Sequence, residues 1–255
     1  MHDCEMLGEM VVPVSYAAGE AGSLTREILG SLVKLDMKQP VVSIMERGLN
    51  YKFMAAEAYW MLTGDDRVDS IAPYCKHISK FSDDGITFFG AYGPKIFDQM
   101  NYIIDKLQTD PMSRQAVINI WRESPPLSTR DVPCTISVQF MRRDGKLQCF
   151  VNMRSSDVWL GFPYDVFNFS ILSGYVARKL GWELGNMYHY AASRHVYEKN
   201  IERWKKVKAV GVLEHSVTQF NPEEFAMSSD IVVHLKNIAD NNPLEHSSFK
   251  EIRDL

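Results

Sequence analysis

Apolar residues recur at helical spacing in three segments of the chain. From Ile96 to Leu107 they fall on one face, which predicts an amphipathic helix packed against a core. Tyr51–Leu62 has the pattern of a second helix, and Gly64 is placed to end it, because glycine adopts the left-handed conformation common just after a helix. Val166–Leu180 is apolar on nearly every side, which predicts a helix buried in the centre of the domain.

Other segments group their apolar residues in shorter runs. Residues 24–36 and 40–46 are predicted to be extended, and residues 195–207 to be helical. Short strands are predicted near 211–218 and 230–235. This mixture of helices and strands is typical of an α+β layer with a large mixed sheet.

A β-hairpin is the strongest local prediction. The segment Thr135–Met141 is rich in residues that favour strands, and Leu147–Asn152 runs back as its partner. Between them lies Asp144–Gly145, a pair that tolerates the positive φ of a tight turn.

The ends of this hairpin carry reactive and charged side chains. Cys134 comes directly before the first strand, Arg154, Ser155 and Asp157 follow the second, and Asp165 closes a turn-forming run after them. A thiol beside a guanidinium and two carboxylates is an arrangement suited to nucleophilic catalysis. The alternative is that Cys134 is a small buried apolar residue and that the charges form structural ion pairs.

Composition is that of an ordinary soluble globular protein. The 255 residues are 45% hydrophobic and 24% charged, and they fit one domain over residues 1–255. No apolar run is long enough to cross a membrane and the N-terminus lacks a secretory signal pattern, so a cytoplasmic location is expected. A net charge of −4 argues against a nucleic-acid surface, and four widely spaced cysteines predict neither a disulfide framework nor a metal site.

Five ordered motifs resemble those of the thymidylate synthase family of folate-dependent pyrimidine nucleotide enzymes. The hairpin region supplies Pro-Cys before a Gln-Phe strand, and then Arg-Ser-x-Asp-Val-x-Leu-Gly-x-Pro-Tyr. The other four motifs are Glu-x-x-Trp-x-Leu-x-Gly-Asp at Glu57–Asp65, Tyr-Gly within Gly90–Gly93, Asp-Pro-x-Ser-Arg at Asp110–Arg114 and His-x-Tyr at His195–Tyr197.

This resemblance implies a fold, a donor and an assembly. The fold would be a single thymidylate synthase-like α+β domain, whose large mixed sheet is packed by helices and pairs through its back with a second copy in a homodimer. Arg114 of one subunit would reach the site of its partner. The one-carbon donor would be 5,10-methylenetetrahydrofolate and the acceptor a pyrimidine nucleoside monophosphate, and no metal, membrane or nucleic-acid partner is expected.

The resemblance also implies the covalent chemistry. Cys134 would attack C6 of the pyrimidine and so make C5 nucleophilic. Glu57 would organise water beside the base, and Tyr92 would assist removal of the C5 proton. Arg154 would bind the nucleotide phosphate and lower the pKa of the Cys134 thiol by its charge.

Further residues would hold the ligands. Asp157 would accept a hydrogen bond from the pterin ring, and Gly161 would let the folate approach the backbone. His195 and Tyr197 would hold the 3′-hydroxyl of the sugar, and together with Ser155 they resemble the deoxynucleotide enzymes. The alternative is that the tyrosines are core aromatics and that Asp157 caps the turn before Gly161.

Asp165 departs from the family pattern. Thymidylate synthases have an asparagine at this position, whose amide donates to uracil O4 and accepts from N3–H. Cytosine reverses both roles: a carboxyl oxygen accepts from its 4-amino group, and either a protonated carboxyl or a protonated ring nitrogen completes the second bond. Asp165 therefore predicts a cytosine base, as in the cytidylate hydroxymethylases of the family.

The resulting hypothesis is a 5-hydroxymethyltransferase that acts on dCMP, with CMP left open. One alternative is methylation, by a thymidylate synthase or by a dCMP methyltransferase that uses folate as the hydride donor. Another is a non-catalytic regulator that binds nucleotide or RNA. The retained Cys134, Glu57 and Arg154 favour an enzyme over a regulator, whereas no sequence feature decides between water and hydride.

Overall fold

One mixed sheet of six strands organises the chain. The computed structural model describes residues 10–13, 23–40, 47–210 and 231–240. The strands are β1 (Met10–Pro13), β2 (Leu24–Asp36), β3 (Val117–Asn119), β4 (Thr135–Arg143), β5 (Lys146–Asp157) and β6 (Glu183–Tyr197). They lie in the order β1-β2-β6-β5-β4-β3, with β5 and β6 parallel and every other neighbouring pair antiparallel. The predicted large mixed sheet is confirmed.

Six α-helices in the described ranges accompany the sheet. They are α1 (Tyr51–Leu62), α2 (Val68–Ile71), α3 (Gly93–Thr109), α4 (Phe162–Leu180), α5 (Ile201–Val210) and α6 (Ile231–Asp240). Single 3₁₀ segments occupy Lys76–Phe81 and Glu198–Asn200. None of these helices is both long and apolar enough to cross a bilayer.

The main core lies between the sheet and helices α3 and α4. The sheet contributes Val138, Phe140, Leu147, Cys149, Val151 and Met187, and the helices contribute Ile96, Met100, Ile103, Leu107, Phe169 and Leu172. Each large apolar side chain that leaves water in this layer stabilises the fold by about 1.5–3 kcal/mol. The helical spacing of the α3 residues is the one that the sequence predicts.

Helix α4 positions the site, because it is the crossover between the parallel strands β5 and β6. Its first turn therefore begins just beyond the carboxyl end of β5. Asp157 is the last residue of β5, and Asp165 lies in the first turn of α4. The helix ends at Gly181, whose φ of 67° is the left-handed conformation that glycine adopts without strain.

Most predicted elements are confirmed. The strand at residues 24–36 and the helices around residues 51–62, 96–107 and 166–180 are present. The hairpin is present too, and its turn uses positive φ at both predicted residues, 53° at Asp144 and 78° at Gly145.

Two secondary-structure predictions are wrong. Within the predicted helix 195–207, His195–Tyr197 extends β6, because all three residues pair with β2 and His195 also pairs with β5. The α-helix begins only at Ile201. Residues 231–235 of the strand predicted near 230–235 lie in α6, and residue 230 lies outside the described residues. The initial run of β-branched residues in this helix favours a strand, but Leu235, Ile238 and Ala239 repeat at helical spacing and pack into a second core beside α1. Residues 41–46 of the predicted strand 40–46, and all of 211–218, lie outside the described residues.

Candidate active site

The Cys134 thiol lies beside the Arg154 guanidinium. The backbone N–H of Arg154 donates to the Cys134 carbonyl at 2.9 Å, which brings β5 against the start of β4. Nη2 of Arg154 is 3.6 Å from Sγ of Cys134. Burial raises the pKa of the Cys134 thiol, and the charge of Arg154 opposes this effect. Arg154 therefore lowers the pKa of the Cys134 thiol, as predicted, but the rise caused by burial is larger.

Tyr92 lies at the start of α3, against Thr135. Its hydroxyl oxygen accepts from the backbone N–H of Thr135 at 3.2 Å and bonds the Thr135 hydroxyl at 3.0 Å. The ring stacks on Phe169 of α4 with the centroids 6.3 Å apart. Burial raises the pKa of Tyr92, and the negative charges of Cys134 and Asp165 add to the rise. Tyr92 is therefore a neutral phenol close to the thiol.

Two carboxylic acids, Glu57 of α1 and Asp165 of α4, complete this side of the site. Burial raises the pKa of Glu57 to about 7, against a hydrogen bond from Asn168 that lowers it. Burial raises the pKa of Asp165 to about 8, the negative charge of Glu57 adds to the rise, and the charge of Arg194 opposes it. Both acids can therefore exchange protons near neutral pH.

Asp157 has one satisfied and one unsatisfied carboxylate oxygen. Oδ1 accepts from the backbone N–H groups of Trp159 at 2.7 Å and of Leu160 at 3.0 Å. Oδ2 is buried and has no hydrogen-bond partner among the described residues. Burial raises the pKa of Asp157, whereas the His195 charge opposes this rise from the neighbouring position on β6. The turn-capping alternative is thus correct for Oδ1 and leaves Oδ2 for a ligand.

Gly161 lies between the two aspartates. Its N–H donates to the Asp157 carbonyl at 3.1 Å, and a Cβ placed on it would stand 3.6 Å from Oδ2 of Asp165. The half-buried glycine therefore lies between the backbone carbonyl of Asp157 and the carboxyl group of Asp165.

The remaining predicted residues fall into two groups. His195 and Tyr197 contact each other edge to face, with ring centroids 5.7 Å apart, and the half-buried Ser155 is two residues from Asp157 on β5. These three belong to the same strand ends as Asp157. Arg114 lies in the exposed loop between α3 and β3, and no side-chain bond joins it to the other predicted residues within the described ranges.

Sequence reasoning missed two buried groups. Asn168 donates from Nδ2 to Oε2 of Glu57 at 2.7 Å. Arg194 is 1% exposed, donates from Nε to the Ser31 hydroxyl at 2.9 Å, and has its guanidinium 4.7 Å from the Phe162 ring centroid. Asn168 was detectable as a polar residue in an apolar helix, three positions after Asp165. Arg194 lies in an ordinary strand pattern and left no comparable signal.

Within residues 10–13, 23–40, 47–210 and 231–240, no three His, Cys, Asp or Glu side chains are grouped to hold an ion.

Two curated relatives of the chain come from phages. It is 32% identical to the deoxyuridylate hydroxymethyltransferase of Bacillus phage SP01, over 65% of this chain and 49% of that protein. It is 34% identical to the deoxyuridylate hydroxymethyltransferase of Pseudomonas phage M6, over 62% of this chain and 48% of that protein. The chain thus spans about half the length of the curated relatives it matches.

A solved structure and a family model also match the chain. The thymidylate synthase of T4 phage superposes with a TM-score of 0.64 at 22% identity, over 73% of this chain and 72% of that one. This match establishes the predicted thymidylate synthase-like α+β fold. Residues 15–209 match the family model described as thymidylate synthase. The chain therefore belongs to the thymidylate synthase family.

Proposed function

We propose that this protein transfers a one-carbon unit from methylenetetrahydrofolate to C5 of a pyrimidine nucleoside monophosphate, and that water then adds to give the 5-hydroxymethyl nucleotide. The observation that carries the proposal is the Cys134–Arg154 pair, whose thiol interacts electrostatically with the buried Asp165. Asp165 interacts in turn with the buried Glu57, and the pKa values of both acids lie near neutrality. A nucleophile and groups that exchange protons are what this reaction requires. Two relatives named deoxyuridylate hydroxymethyltransferase support the same reaction class.

Cys134 is the proposed nucleophile. Its thiolate adds to C6 of the pyrimidine, which turns C5 into an enamine carbon able to form a new bond. The Arg154 charge stabilises this thiolate against the burial that favours the neutral thiol. Tyr92, a neutral phenol that interacts electrostatically with Cys134, is the proposed partner in removal of the C5 proton.

Asp157 and Gly161 are proposed to hold the folate. The buried Oδ2 of Asp157 is an acceptor without a partner in the described part of the chain, and the pterin ring offers N–H donors. Gly161 leaves the backbone accessible beside it. These residues fit the group. When bound, methylenetetrahydrofolate supplies the carbon that becomes the C5 substituent.

Glu57 is proposed to act on the water. With a pKa of about 7 it is partly ionised at neutral pH and can take a proton from water that adds to the C5 methylene of the Cys134-bound nucleotide. The electron pair of the exocyclic double bond moves into the ring and then expels the Cys134 thiolate from C6. The C5–C6 double bond returns, and no oxidant or reductant is consumed.

Asp165 is proposed to read the base. With a pKa of about 8, its carboxyl is largely neutral at pH 7 and presents one O–H donor and one C=O acceptor. Cytosine matches both, because N3 accepts the O–H and the 4-amino group donates to the C=O. When Asp165 ionises, it accepts both from the 4-amino group and from a protonated N3, since the ring nitrogen of cytosine takes up a proton far more readily than O4 of uracil. Both protonation states therefore serve cytosine, and we favour dCMP.

Uracil is the second candidate base, and two observations favour it. The named relatives are deoxyuridylate enzymes. The neutral carboxyl of Asp165 also matches uracil when its O–H and C=O exchange positions. The O–H then donates to O4, and the C=O accepts from N3–H. Only the ionised form rejects uracil, because a carboxylate has no proton to donate to O4.

The sugar and phosphate contacts are proposed by family resemblance. His195 and Tyr197 would bind the 3′-hydroxyl, and the half-buried Ser155 would lie near the sugar and favour a deoxyribose. Arg154 would bind the phosphate together with Arg114, whose exposed loop leaves it available to a second subunit. CMP remains a possible substrate in this scheme.

A homodimer is proposed through the sheet. Large apolar side chains are exposed on its strands, and Leu32 and Tyr190 form a register pair of β2 and β6. Their exposed fractions are 55% and 38%. An apolar surface of this kind is typical of an interface, and a second copy is the occupant that the family suggests.

Product analysis tests the proposed function. The protein is incubated with methylenetetrahydrofolate and, separately, with dCMP, CMP and dUMP, and the products are identified by mass. We expect a 5-hydroxymethyl nucleotide, with dCMP converted fastest. A methyl product would instead favour hydride transfer from folate. Nucleotide binding without turnover of any of the three would favour a regulator.

A further inference from the structure

Asn168 occupies an unusual place in the core. It lies on α4 three residues after Asp165, a spacing that puts both side chains on one face of the helix. Its exposed fraction is 7%, and its neighbours Phe167 and Phe169 are fully buried apolar residues. An amide in such surroundings is costly unless it is hydrogen-bonded.

Only half of this amide is satisfied. Nδ2 donates to Oε2 of Glu57 at 2.7 Å, a contact between residues 111 positions apart in sequence. Oδ1 is buried and has no partner among the described residues. A buried acceptor left unpaired costs about 1–3 kcal/mol, so this oxygen calls for a ligand that donates a hydrogen bond.

The nature of that ligand follows from the neighbours. Oδ1 and Nδ2 branch from the same carbon, so a donor bound to Oδ1 lies within reach of the Glu57 carboxyl held by Nδ2. On the other side, the carboxyl of Asp165 interacts with Glu57. A water molecule is small enough for such a place and can donate to the amide oxygen and to the carboxylate at once.

We propose that Asn168 is a positioning residue for the hydration step, in which its Oδ1 accepts a hydrogen bond from the attacking water and its Nδ2 fixes the Glu57 carboxyl that takes the proton of this water. This inference rests on the proposed function. One O–H bond of water breaks and its proton goes to Glu57, while the oxygen bonds to the C5 methylene carbon. The displaced electron pair expels the Cys134 thiolate from C6.

The test compares two rates in the same reaction. Release of tritium from C5 reports thiol addition, carbon transfer and loss of the C5 proton, all of which precede hydration. Formation of the 5-hydroxymethyl nucleotide, measured by mass, reports hydration as well. Added 2-mercaptoethanol reacts with the C5 methylene that awaits water and traps it as a thioether.

In Asn168→Ala and Asn168→Leu, we expect tritium release to stay within about threefold of wild type. Hydroxymethyl product should fall about tenfold or more, because the water loses its acceptor and the Glu57 carboxyl loses its donor. The thioether should rise in parallel. Ser173→Ala is the matched control. Ser173 is also buried on α4, but it donates to the Phe169 carbonyl of its own helix, so the ratio of the two rates should not change.

Two kinds of outcome contradict the inference. If both rates fall together, Asn168 supports the whole site or the fold rather than the hydration step. The same conclusion holds if near-ultraviolet circular dichroism shows that both variants are unfolded. If both rates are unchanged, Asn168 has no role in hydration. Failure of the proposed function looks different, because the wild-type protein itself would then release no tritium or would form a methyl product.

Discussion

The guanidinium of Arg154 lies 3.6 Å from the sulfur of Cys134 and is itself held by two backbone carbonyls. Its Nε donates to the Pro133 carbonyl at 2.9 Å, and its Nη2 donates to the Val132 carbonyl at 3.0 Å. The segment that carries the thiol therefore also fixes the cation that acts on it. Nη1 makes no hydrogen bond within the described ranges and is the atom proposed to bind the phosphate.

Replacement of this cation should slow the thiol. In Arg154→Gln, the pKa of Cys134 is expected to rise, because burial then acts without the opposing charge. Alkylation by iodoacetamide at pH 7.5 should slow by about tenfold for each unit of that rise. The control is Arg122→Gln, which removes a surface arginine paired with Asp98. Alkylation of the other thiols is measured in Cys134→Ala and subtracted. An unchanged rate for Cys134 in Arg154→Gln would contradict this assignment.

The buried acids should make stability depend on pH. The pKa of Asp165 is raised from 3.8 to about 8, so between these values the folded chain keeps a proton that the unfolded chain has lost. Stability therefore falls as the pH rises through this window. Asp165→Asn removes the titration. The unfolding free energy of Asp165→Asn, relative to that of wild type, should therefore be lowest near pH 4 and highest near pH 8.

Urea unfolding followed by tryptophan fluorescence at several pH values measures this difference. Asp98→Asn, a change at an exposed carboxylate, serves as the control and should show a much weaker dependence on pH. A gain for Asp165→Asn that is constant from pH 4 to pH 8 would mean that Asp165 is not the buried acid described above.

Asp157→Asn should weaken folate binding selectively. The variant keeps an oxygen for the backbone N–H groups of Trp159 and Leu160, but replaces the unpartnered Oδ2 by an N–H donor. Two donors then face each other, so folate affinity should fall by about tenfold or more, in line with 1–3 kcal/mol for an unpaired buried group. Calorimetric titration with tetrahydrofolate checks this, and nucleotide affinity is the internal control. Equal folate affinity would place the pterin elsewhere.

A charge on the apolar sheet surface should prevent dimer formation. Leu32→Arg puts a guanidinium next to Tyr190 on the strands proposed to pair, and sedimentation equilibrium should then report a monomer. Leu127→Arg, which alters a fully exposed leucine outside the sheet, should leave the assembly unchanged. A wild-type monomer, or a Leu32→Arg dimer, would contradict the proposed interface.

Local chemistry made much of this fold predictable. Asp144–Gly145 requires a tight turn, and the spacing of Ile96, Met100 and Ile103 requires a helix, so these elements follow from a few neighbouring residues. The continuation of β6 through His195–Tyr197 depends on strands that are far away in sequence. Tertiary pairing there overrides a helical pattern.

Some features of the site were likewise predictable from neighbouring residues, and others were not. Cys134, Arg154 and Asp157 are close in sequence and adjoin one hairpin, so their proximity could be inferred. The Asn168–Glu57 bond joins two helices whose relative position only the folded chain defines. The pKa of Asp165 also depends on the folded chain, because burial and the charge of Glu57 raise it. A sequence motif shows neither the burial nor the proximity of Glu57.

The choice between cytosine and uracil depends on Asp165 and can be measured by competition. Wild type and Asp165→Asn are each given an equal mixture of dCMP and dUMP with methylenetetrahydrofolate at pH 7.5, and both products are quantified by mass. We expect 5-hydroxymethyl-dCMP as the main wild-type product and a shift toward the dUMP product in Asp165→Asn, because the amide donates to O4 and accepts from N3–H in every protonation state of the site. The same product ratio in both proteins would contradict this role of Asp165.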